Sequence, residues 1–542
     1  MLLTYPDEAR NAYATLFMMK SGNYIVPYYN GEIRYDKPPL LYYSAILIYN
    51  FLKIFNYENI ELSFRIVSVV STTLSGLIVF ELSKYFLLEK ICRYFAVFLY
   101  VSMVNIFIES KAFVPEPLLS LFINFSLLAF FKIYHQFNNN KTNNPYFLKT
   151  WNFLFWVSIG LGTLSKGIVT IIVVFLVITV FLLFEKNLEF IKILFKNTVY
   201  VLVGLLIGFS WFIVVGIETK GEFLYNFFWV HNFGRFTGSS NMHPNPFYFY
   251  LPVIILNTLP FIELSILFVV TALRAYLKKE KVEELLIDKK RNFLRLNFLW
   301  IYFGMVIIFY SLSTGKVHHY IMPSLVPLSI LITFFIEKIR EEKVKNVEYW
   351  VFASFIIPLI LFFLEVPPTF VKLKNSILIL YSAFIPIYFL IFRYNKKLIF
   401  ISTFLKVIIF YGLLISNLPF IFPNQEELLS KIKNKELMML GDISTISFYN
   451  LYLNNVPKTQ DLWYVLNKYD INKKEFEKET IDTVEYSIDK ALKSGKEIII
   501  FSNPSKAEVL KKLLINYHTK EYLLTVAQSE LLAIKIKEKK NK

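Results

Sequence analysis

Charged side chains that could do chemistry stand in short blocks of an otherwise strongly apolar chain. In the block PDEAR, Asp7 and Arg10 are one helical turn apart, so a carboxylate and a guanidinium can share a helix face. In the block RYDKPPL, two prolines stiffen the backbone beside Asp36 and Lys37. A helix N-cap with a surface ion pair would also explain the first block, and a rigid turn would explain the second.

A further carboxylate lies between two prolines. Glu116, in VPEPL, stands at the start of an apolar run, where few structural demands place an acidic side chain. An ion pair with Lys111 is the simpler structural explanation. Lys166, in LSKGI, separates two apolar runs and either belongs to a site or anchors the helices at the lipid headgroups.

Histidines make one tract a candidate metal site. In WVHNFGRFTGSSNMHPNPFYFY, His231 and Arg235 have i, i+4 spacing, and His243 follows within reach. Two histidines with a carboxylate such as Asp36 could bind a divalent cation, Zn²⁺, Mg²⁺ or Mn²⁺. Histidines without tight spacing are a weak metal signal, so a site without metal stays open.

A second tract, SLSTGKVHHYIMP, places Lys316, His318, His319 and Tyr320 at the mouth of the next apolar run. These side chains can donate hydrogen bonds to a phosphate. They can equally be anchors that extend from an apolar helix end to the interface.

The composition fixes the setting of these groups. Hydrophobic residues make up 55% of the 542 positions and aromatic residues 18%, and the mean hydropathy is +0.48. This is too apolar for a water-soluble domain and predicts a polytopic α-helical membrane protein. The net charge of +17 comes from Lys and Arg clustered between apolar runs, a pattern of cytoplasmic loops that argues against a nucleic-acid partner. The single cysteine, Cys92, excludes an internal disulfide framework and a thiolate metal cluster.

About twelve apolar runs are long enough to cross a bilayer. They lie near 63–86, 93–108, 116–134, 151–165, 168–185, 198–217, 248–272, 293–312, 319–337, 347–364, 376–392 and 398–421. Basic residues crowd every second gap, which predicts that these gaps are cytoplasmic. The other gaps then face outward: 1–62, 109–115, 218–247, 313–318, 365–375 and everything after about 424.

The candidate site residues all fall at outer helix ends on this topology. Counting the segment 39–55 as a span would invert every later loop, so we predict an amphipathic helix that lies flat at the interface. Residues 1–5 contain neither a signal peptide nor a span, and we therefore expect the full-length chain to carry one more transmembrane helix before them.

The composition changes after Pro423. Short strand-like runs at 437–440, 497–501 and 533–537 alternate with helical periodicity at 506–515. We predict two domains: residues 1–423, a transmembrane catalytic domain whose first 62 residues form an outward loop with interfacial helices, and residues 424–542, a small extracytoplasmic α/β domain.

The chain resembles a known family through the order and spacing of its motifs. The resemblance rests on PDEAR, GNYIVPYYNGEIRYDKPPLLYY, Arg65, LSKG, HNFGRF, HPNPFYFY and SLSTGKVHHYIMP. These resemble the GT-C type integral-membrane glycosyltransferases that use polyprenyl-phosphate sugars, in particular the lipid A aminoarabinose transferases and the related bacterial protein-mannosyltransferase-like proteins. The resemblance covers roughly residues 4–330, and it implies a GT-C fold with about thirteen spans in a full-length chain.

The resemblance also implies roles for the candidate residues. Asp7 is expected to be the acidic catalytic residue and Glu116 the second acidic residue of the site. The donor-phosphate ligands that it implies are Arg10, Lys37, Arg235 and Tyr320, and the tract SLSTGKVHHYIMP adds Lys316. The implied metal position involves Asp36 and His231, to which the histidine tract adds His243, and no organic cofactor is expected. Three departures, Asn11 for Tyr, Lys111 for Arg and Glu116 for Asp, put the identity of sugar and acceptor in doubt more than the reaction type.

The implied reaction is an inverting transfer of a sugar, aminoarabinose or a hexose, from a polyprenyl phosphate. The implied acceptor is lipid A or another cell-envelope lipid or glycan, and the expected place is the outer face of the bacterial cytoplasmic (inner) membrane, among membrane lipids. A protein O-mannosyltransferase-like enzyme is one alternative. A lipid-linked saccharide flippase is another, although charges at outer helix ends and the lack of an internal repeat favour the enzyme.

Overall fold

A computed structural model describes residues 6–29, 32–138, 145–239, 244–277, 294–340 and 368–421, the single residues 360 and 363, and seven strands between 437 and 539. The chain divides into two compact units. The smaller unit comprises Met1–Ser21, Tyr28–Glu32 and Ile415–Lys542, and the larger unit comprises Gly22–Pro27 and Ile33–Leu414.

The described part of the larger unit is almost entirely helical. The helices among the described residues of both units are α1 Pro6–Ser21, α2 Leu40–Ile54, α3 Ile60–Ser83, α4 Lys90–Val101, α5 Val104–Glu109, α6 Glu116–Asn138, α7 Pro145–Lys166, α8 Val169–Phe184, α9 Ile191–Phe195, α10 Thr198–Glu218, α11 Glu222–Leu224, α12 Gly234–Thr237, α13 Tyr250–Asn257, α14 Ile262–Leu277, α15 Leu294–Leu312, α16 Leu325–Arg340, α17 Pro368–Tyr394 and α18 Ile399–Ile421. A π-helical turn spans Tyr225–Phe233, and short 3-10 turns span Leu188–Phe190, Phe247–Phe249, Leu259–Phe261, His318–Ser324 and Lys396–Leu398.

Six described helical segments are long and apolar enough to cross a membrane: Ile60–Ser83, Glu116–Asn138, Thr198–Glu218, His318–Arg340, Val371–Ile391 and Lys396–Asn417. A pair of shorter helices, Phe247–Asn257 and Leu259–Val269, meets at a bend of 54° and adds a seventh if it forms one span. The polytopic helical class is thus confirmed. The number of about twelve spans stays a prediction, and the predicted run 347–364 lies almost wholly outside the described residues.

The predicted run 93–108 is not one helix but two. Helix α4 ends at Val101, and α5 begins at Val104 after Met103 adopts an extended conformation with φ −69° and ψ 138°. A carbonyl freed by a helix end needs another donor, and the hydroxyl of Tyr411 donates to the main-chain oxygen of Ser102 at 2.8 Å. After the break, α5 ends at the buried carboxylate Glu109.

Close contact between α7 and α10 fixes the helix that carries Lys166. A Cβ added to Gly160 would lie 2.5 Å from the main-chain oxygen of Gly204, and a Cβ added to Gly204 would lie 2.5 Å from the main-chain oxygen of Trp156. Only glycines allow such an approach of two backbones, which is a common mode of helix packing in membranes.

One ion pair is buried completely between helices of the larger unit. The ammonium of Lys406 donates to Oε1 of Glu263, and neither side chain has any exposed surface. The same ammonium lies 4.0 Å from the ring centroid of Tyr381. This ion pair therefore joins α14 to α18. If one partner were removed, the other charge would remain buried without solvent contact.

We expect Lys406→Met to lower the free energy of unfolding by about 3 kcal/mol, because the buried Glu263 carboxyl group loses its partner. The double variant Glu263→Leu/Lys406→Met should recover most of that loss, since it removes both charges. Thermal unfolding of the detergent-purified protein measures both. Equal midpoints for the single and the double variant would contradict this account of the pair.

The smaller unit contains helix α1 and a mixed sheet. Its described strands beyond residue 436 are β3 Leu437–Gly441, β4 Gln460–Asp461, β5 Tyr469–Asp470, β6 Glu475–Phe476, β7 Glu497–Ser502, β8 Tyr517–Val526 and β9 Ser529–Lys539, and β1 Tyr28–Tyr29 and β2 Glu32–Ile33 precede them in the chain. Five strands form one sheet in the order β4-β3-β7-β9-β8. The pairs β4/β3 and β3/β7 are parallel, and the pairs β7/β9 and β9/β8 are antiparallel.

Strands β3, β7 and β9 include the three runs predicted as strands. Strand β8 was not predicted, because the edge strand YHTKEYLLTV carries charges that mask its strand pattern. The predicted helix 506–515 lies outside the described residues. The division into domains at 423/424 stays a prediction; the smaller compact unit begins at Ile415 in this part of the chain and also includes residues from its start.

Candidate active site

The RYDKPPL segment forms the first part of the site, in the larger unit. The Nε of Arg34 lies 2.8 Å from Oδ1 of Asp36, and Nζ of Lys37 lies 3.9 Å from Oδ2 of the same carboxylate. The hydroxyl of Tyr35 donates to Oε1 of Glu222 at 2.5 Å, which ties the segment to helix α11. The segment therefore holds Lys37, only 6% exposed, in a fixed position beside a carboxylate.

Positive charge surrounds Asp36. Burial raises the pKa of Asp36, but the charges of Arg34, Lys37 and Arg235 outweigh burial and hold that pKa well below its ordinary value. Burial lowers the pKa of His231, and the nearby cations add to this effect against the attraction of Asp36. At neutral pH these shifts favour an ionised carboxylate at Asp36 and a neutral imidazole at His231.

His231 and Arg235 come from the π-helical turn Tyr225–Phe233 and from helix α12, which follows it directly. π-Helical turns are rare and often occur at functional sites. Nδ1 of His231 and Nε of Arg235 are buried, and neither makes a hydrogen bond within the described residues. Both side chains therefore keep donor or acceptor capacity for a ligand.

A second group of charges surrounds Glu116 at the start of α6. Nζ of Lys166 lies 2.7 Å from Oε1 of Glu116, and Nε2 of His319 lies 3.3 Å from the same oxygen. The Lys166 ammonium also lies 4.2 Å from the ring centroid of Tyr320. The simpler structural explanation, an ion pair between Glu116 and Lys111, is wrong. The ammonium of Lys111 instead lies 3.1 Å from the ring centroid of Phe107.

The two groups belong to one polar region. Lys37 interacts electrostatically with Glu116, and Arg235 interacts with both Lys166 and Tyr320. The larger unit thus brings together eight candidate side chains from segments that are far apart in the sequence: Asp36, Lys37, Glu116, Lys166, His231, Arg235, His319 and Tyr320.

Lys316 makes a structural contact. Its ammonium donates to the main-chain oxygen of Asn245 at 2.9 Å, and the side-chain amide of Asn245 donates back to the main-chain oxygen of Lys316 at 3.0 Å. Burial lowers the pKa of Lys316. This lysine joins two loops, and its role as a phosphate ligand stays a prediction. His243 lies outside the described residues.

Asp7 and Arg10 lie in the smaller unit, on the first turn of α1. Nη1 of Arg10 is 3.6 Å from Oδ1 of Asp7, and the side chains are 30% and 36% exposed. The predicted sharing of a helix face is confirmed, whereas the catalytic role of Asp7 stays a prediction.

Sequence reasoning missed two residues of the polar region in the larger unit. Arg34 is the first residue of the RYDKPPL block, two residues before Asp36. Glu109 is fully buried and lies 3.4 Å from His319. A carboxylate within an apolar run was a usable signal for Glu109, because such groups are costly to bury and usually have a partner.

Comparisons with known proteins place this geometry in context. The family of dolichyl-phosphate-mannose-protein mannosyltransferases matches residues 2–226. An uncharacterized protein of Aquifex aeolicus (strain VF5) is 33% identical over 363 residues, which cover 66% of this chain and 73% of the relative. The undecaprenyl phosphate-alpha-4-amino-4-deoxy-L-arabinose arabinosyl transferase 2 of Proteus mirabilis (strain HI4320) is 29% identical over 334 residues, which cover 61% of this chain and 55% of the relative. The matched region thus spans about half the length of that transferase.

A solved structure agrees over nearly the whole chain. The crystal structure of ArnT from Cupriavidus metallidurans bound to undecaprenyl phosphate has a TM-score of 0.70 and 16% sequence identity, with 98% of this chain and 94% of that chain covered. At this identity the likeness shows the fold.

Proposed function

Because the chain belongs to the GT-C glycosyltransferases that resemble the aminoarabinose transferases, we propose that it transfers a sugar from a polyprenyl phosphate to lipid A or another cell-envelope acceptor. One observation carries the proposal: Lys37 and Arg235, from separate segments, interact with the same tyrosine, Tyr320. Two cations whose charges act on the same phenol suit the recognition of a phosphate group.

The reaction explains the need for cations. Cleavage of the bond between the anomeric carbon and the phosphate oxygen leaves its electron pair on the phosphate, so negative charge develops there in the transition state. Positive groups held at that place stabilise the transition state more than the ground state. Arg235 can contact two phosphate oxygens through its planar guanidinium, and Lys37 adds a compact charge. Arg10 is a third candidate ligand.

The role of the acidic residues depends on whether the acceptor is a hydroxyl or a phosphate group. A hydroxyl acceptor must lose its proton during attack on the anomeric carbon, and Asp7 is our candidate base. A phosphate acceptor needs no base, and Asp7 would then orient groups. Glu116, paired with Lys166, is the second acidic residue. Direct displacement with one carboxylate inverts the configuration at the anomeric carbon.

To test this proposal, the purified protein is incubated with a panel of polyprenyl-phosphate sugars and candidate acceptors, and the products are identified by mass spectrometry. We expect one sugar to move onto a lipid or glycan acceptor, lipid A first among those tested. Transfer to a protein hydroxyl would favour the mannosyltransferase alternative, which the family match at residues 2–226 keeps open. Transbilayer movement of intact donor without any transfer would favour the flippase.

We propose that a divalent cation binds Asp36 and His231, where it would share the Asp36 carboxylate with Arg34 and Lys37. The carboxylate is ionised, the imidazole is neutral, and Nδ1 of His231 makes no hydrogen bond within the described ranges. These are the states that a cation requires of its ligands. When bound, the ion would neutralise phosphate charge.

We expect a chelator to lower transfer activity, and zinc, magnesium or manganese to restore it. His231→Asn should make the enzyme insensitive to the chelator at a lower basal rate. Unchanged wild-type activity after chelation and buffer exchange would retire the Asp36/His231 site.

The proposed location is the bacterial cytoplasmic membrane, with the site on the periplasmic side. Reporter fusions after residue 290 should be active as cytoplasmic reporters, and fusions after residue 430 as extracytoplasmic reporters. Fusions on the same side of the membrane would refute this topology.

A further inference from the structure

A second cluster of metal-ligand side chains lies beside Glu116. One ligand atom each of Glu109, His318 and His319 lies within 4.8 Å of the others. Glu109 is fully buried and His319 is 5% exposed. These residues differ from Asp36, His231 and His243, the metal ligands considered so far.

The hydrogen bonds of His318 determine its tautomer. The Nδ2 amide of Asn105 donates to the main-chain oxygen of His318 at 2.9 Å, so Oδ1 of Asn105 is its acceptor end. This Oδ1 lies 3.2 Å from Nδ1 of His318. Nδ1 must therefore carry the proton, and Nε2 keeps a free lone pair. The backbone of Asn105 is itself held by Oδ1 of Asn257 at 3.0 Å. An imidazole fixed in this way by a second residue is typical of metal ligands.

His319 is constrained by carboxylates on both sides. Its Nε2 lies 3.3 Å from Oε1 of Glu116, and its Nδ1 lies 3.4 Å from Oε1 of Glu109. A carboxylate can only accept, so Nε2 carries a proton toward Glu116. Nδ1 then faces Glu109 either with a second proton or with a lone pair. A lone pair opposite an ionised carboxylate is unfavourable unless a cation lies between them.

We propose that Glu109, His318 and His319 bind a divalent transition-metal ion, with Zn²⁺ the ion that best suits two imidazoles and one carboxylate. Tetrahedral zinc with bonds of about 2.0–2.1 Å separates its ligand atoms by about 3.4 Å. The separation between His319 and Glu109 matches this value. The other ligand-atom separations are at most 4.8 Å, so shifts of no more than about 1.4 Å bring them to the tetrahedral value.

A metal ion satisfies more of the buried groups than a second proton does. Neither oxygen of Glu109 makes a hydrogen bond among the described residues, and neither does Nδ1 of His319. An imidazolium would pair with one oxygen of Glu109 and leave the lone pair of His318 unused. Zinc uses the carboxylate and both imidazoles at once, and a water or a second carboxylate oxygen can complete its shell.

The ion would also position Glu116. Metal coordination through Nδ1 fixes His319 in the tautomer whose Nε2–H points at Oε1 of Glu116, where Lys166 also binds. Glu109, His318 and His319 are thus positioning residues for the second acidic residue of the site. This role, unlike the metal site itself, rests on the proposed function.

Zinc content of the full-length protein, purified in detergent and incubated with zinc alone, tests the site. After gel filtration, we expect Glu109→Gln and His318→Asn to hold one equivalent of zinc less than the wild type, by elemental mass spectrometry. Lys53→Ala and Glu58→Gln, at an exposed ion pair outside both metal sites, are the matched controls and should hold as much zinc as the wild type. Cobalt in place of zinc should give the visible absorption of a tetrahedral N/O site, lost in the same two variants.

Zinc content in Glu109→Gln and His318→Asn equal to that of the wild type overturns the site, as does a wild type that binds no zinc. If the thermal midpoint shows that Glu109→Gln unfolds, the zinc content of His318→Asn alone tests the site. His318 is half-buried, and its replacement leaves no unpaired charge behind. No sugar donor is present in these measurements. A protein that binds zinc but transfers no sugar would therefore refute the proposed function and leave the site standing.

Discussion

Replacing Lys37 by alanine should reduce the rate of sugar transfer by about a hundred- to a thousandfold, the usual loss when one preorganised group that stabilises transition-state charge is removed. The ammonium of Lys37 is buried beside Asp36 and acts on Glu116 and Tyr320. Its loss leaves the developing phosphate charge to Arg235 and removes one of the cations that balance Asp36. Product formation, followed by mass spectrometry at saturating donor, measures the loss.

A matched control separates this effect from general damage. Lys53 forms an ion pair with Glu58 at 3.3 Å, and its side chain is 57% exposed. Lys53→Ala should transfer sugar at the wild-type rate, because exposed ion pairs contribute little. Lys37→Arg should recover only part of the activity, since a planar guanidinium does not replace a compact ammonium. Wild-type turnover in Lys37→Ala would remove Lys37 from the site.

The kinetic form of the loss carries further information. A cation that acts on charge formed only in the transition state changes kcat more than KM. If Lys37 mainly holds the phosphate of the bound donor, KM for the donor should rise with little change in kcat. The first result would support the mechanism above, and the second would restrict Lys37 to donor binding.

The helices could be predicted because, within a bilayer, the backbone N–H and C=O groups must form hydrogen bonds with each other. The predicted run 198–217 corresponds to Thr198–Glu218, where the side chain of Asn197 caps the first turn by accepting from the main-chain nitrogen of Val199. The break after Val101 could not be predicted in the same way. It depends on the hydroxyl of Tyr411, which lies 309 residues away in the sequence from Ser102.

In the candidate site, too, contacts between chain neighbours could be predicted, whereas contacts between distant helices could not. Asp36 and Lys37 are neighbours in the chain, so their proximity followed from the sequence alone. The partner of Glu116 did not, because Lys166 is 50 residues away and the nearby Lys111 is the simpler choice. Only the packing of α6 against α7 decides between the two lysines. Spacing along one helix predicts shared faces, as for Asp7 and Arg10, but it does not predict which helices meet.

Replacing Asp7 by asparagine should distinguish the two kinds of acceptor. Asparagine keeps the size of the side chain but cannot take a proton. With a hydroxyl acceptor we expect transfer to fall by about a hundred- to ten-thousandfold, the range of general base catalysis. With a phosphate acceptor, which arrives already ionised, the loss should be much smaller. Glu58→Gln, at a side chain that is 56% exposed, is the matched control and should be neutral.

The two outcomes for Asp7→Asn indicate different acceptors and different roles for Asp7. A large loss in Asp7→Asn that is relieved at higher pH, where more of the hydroxyl acceptor is ionised without help, identifies Asp7 as the base. A small loss, independent of pH, indicates a phosphate acceptor and leaves Asp7 the task of orienting Arg10, 3.6 Å away. Wild-type turnover with every acceptor of both kinds would remove Asp7 from the mechanism, and the acidic function would then fall to Glu116, whose charge is already balanced by Lys166 at 2.7 Å.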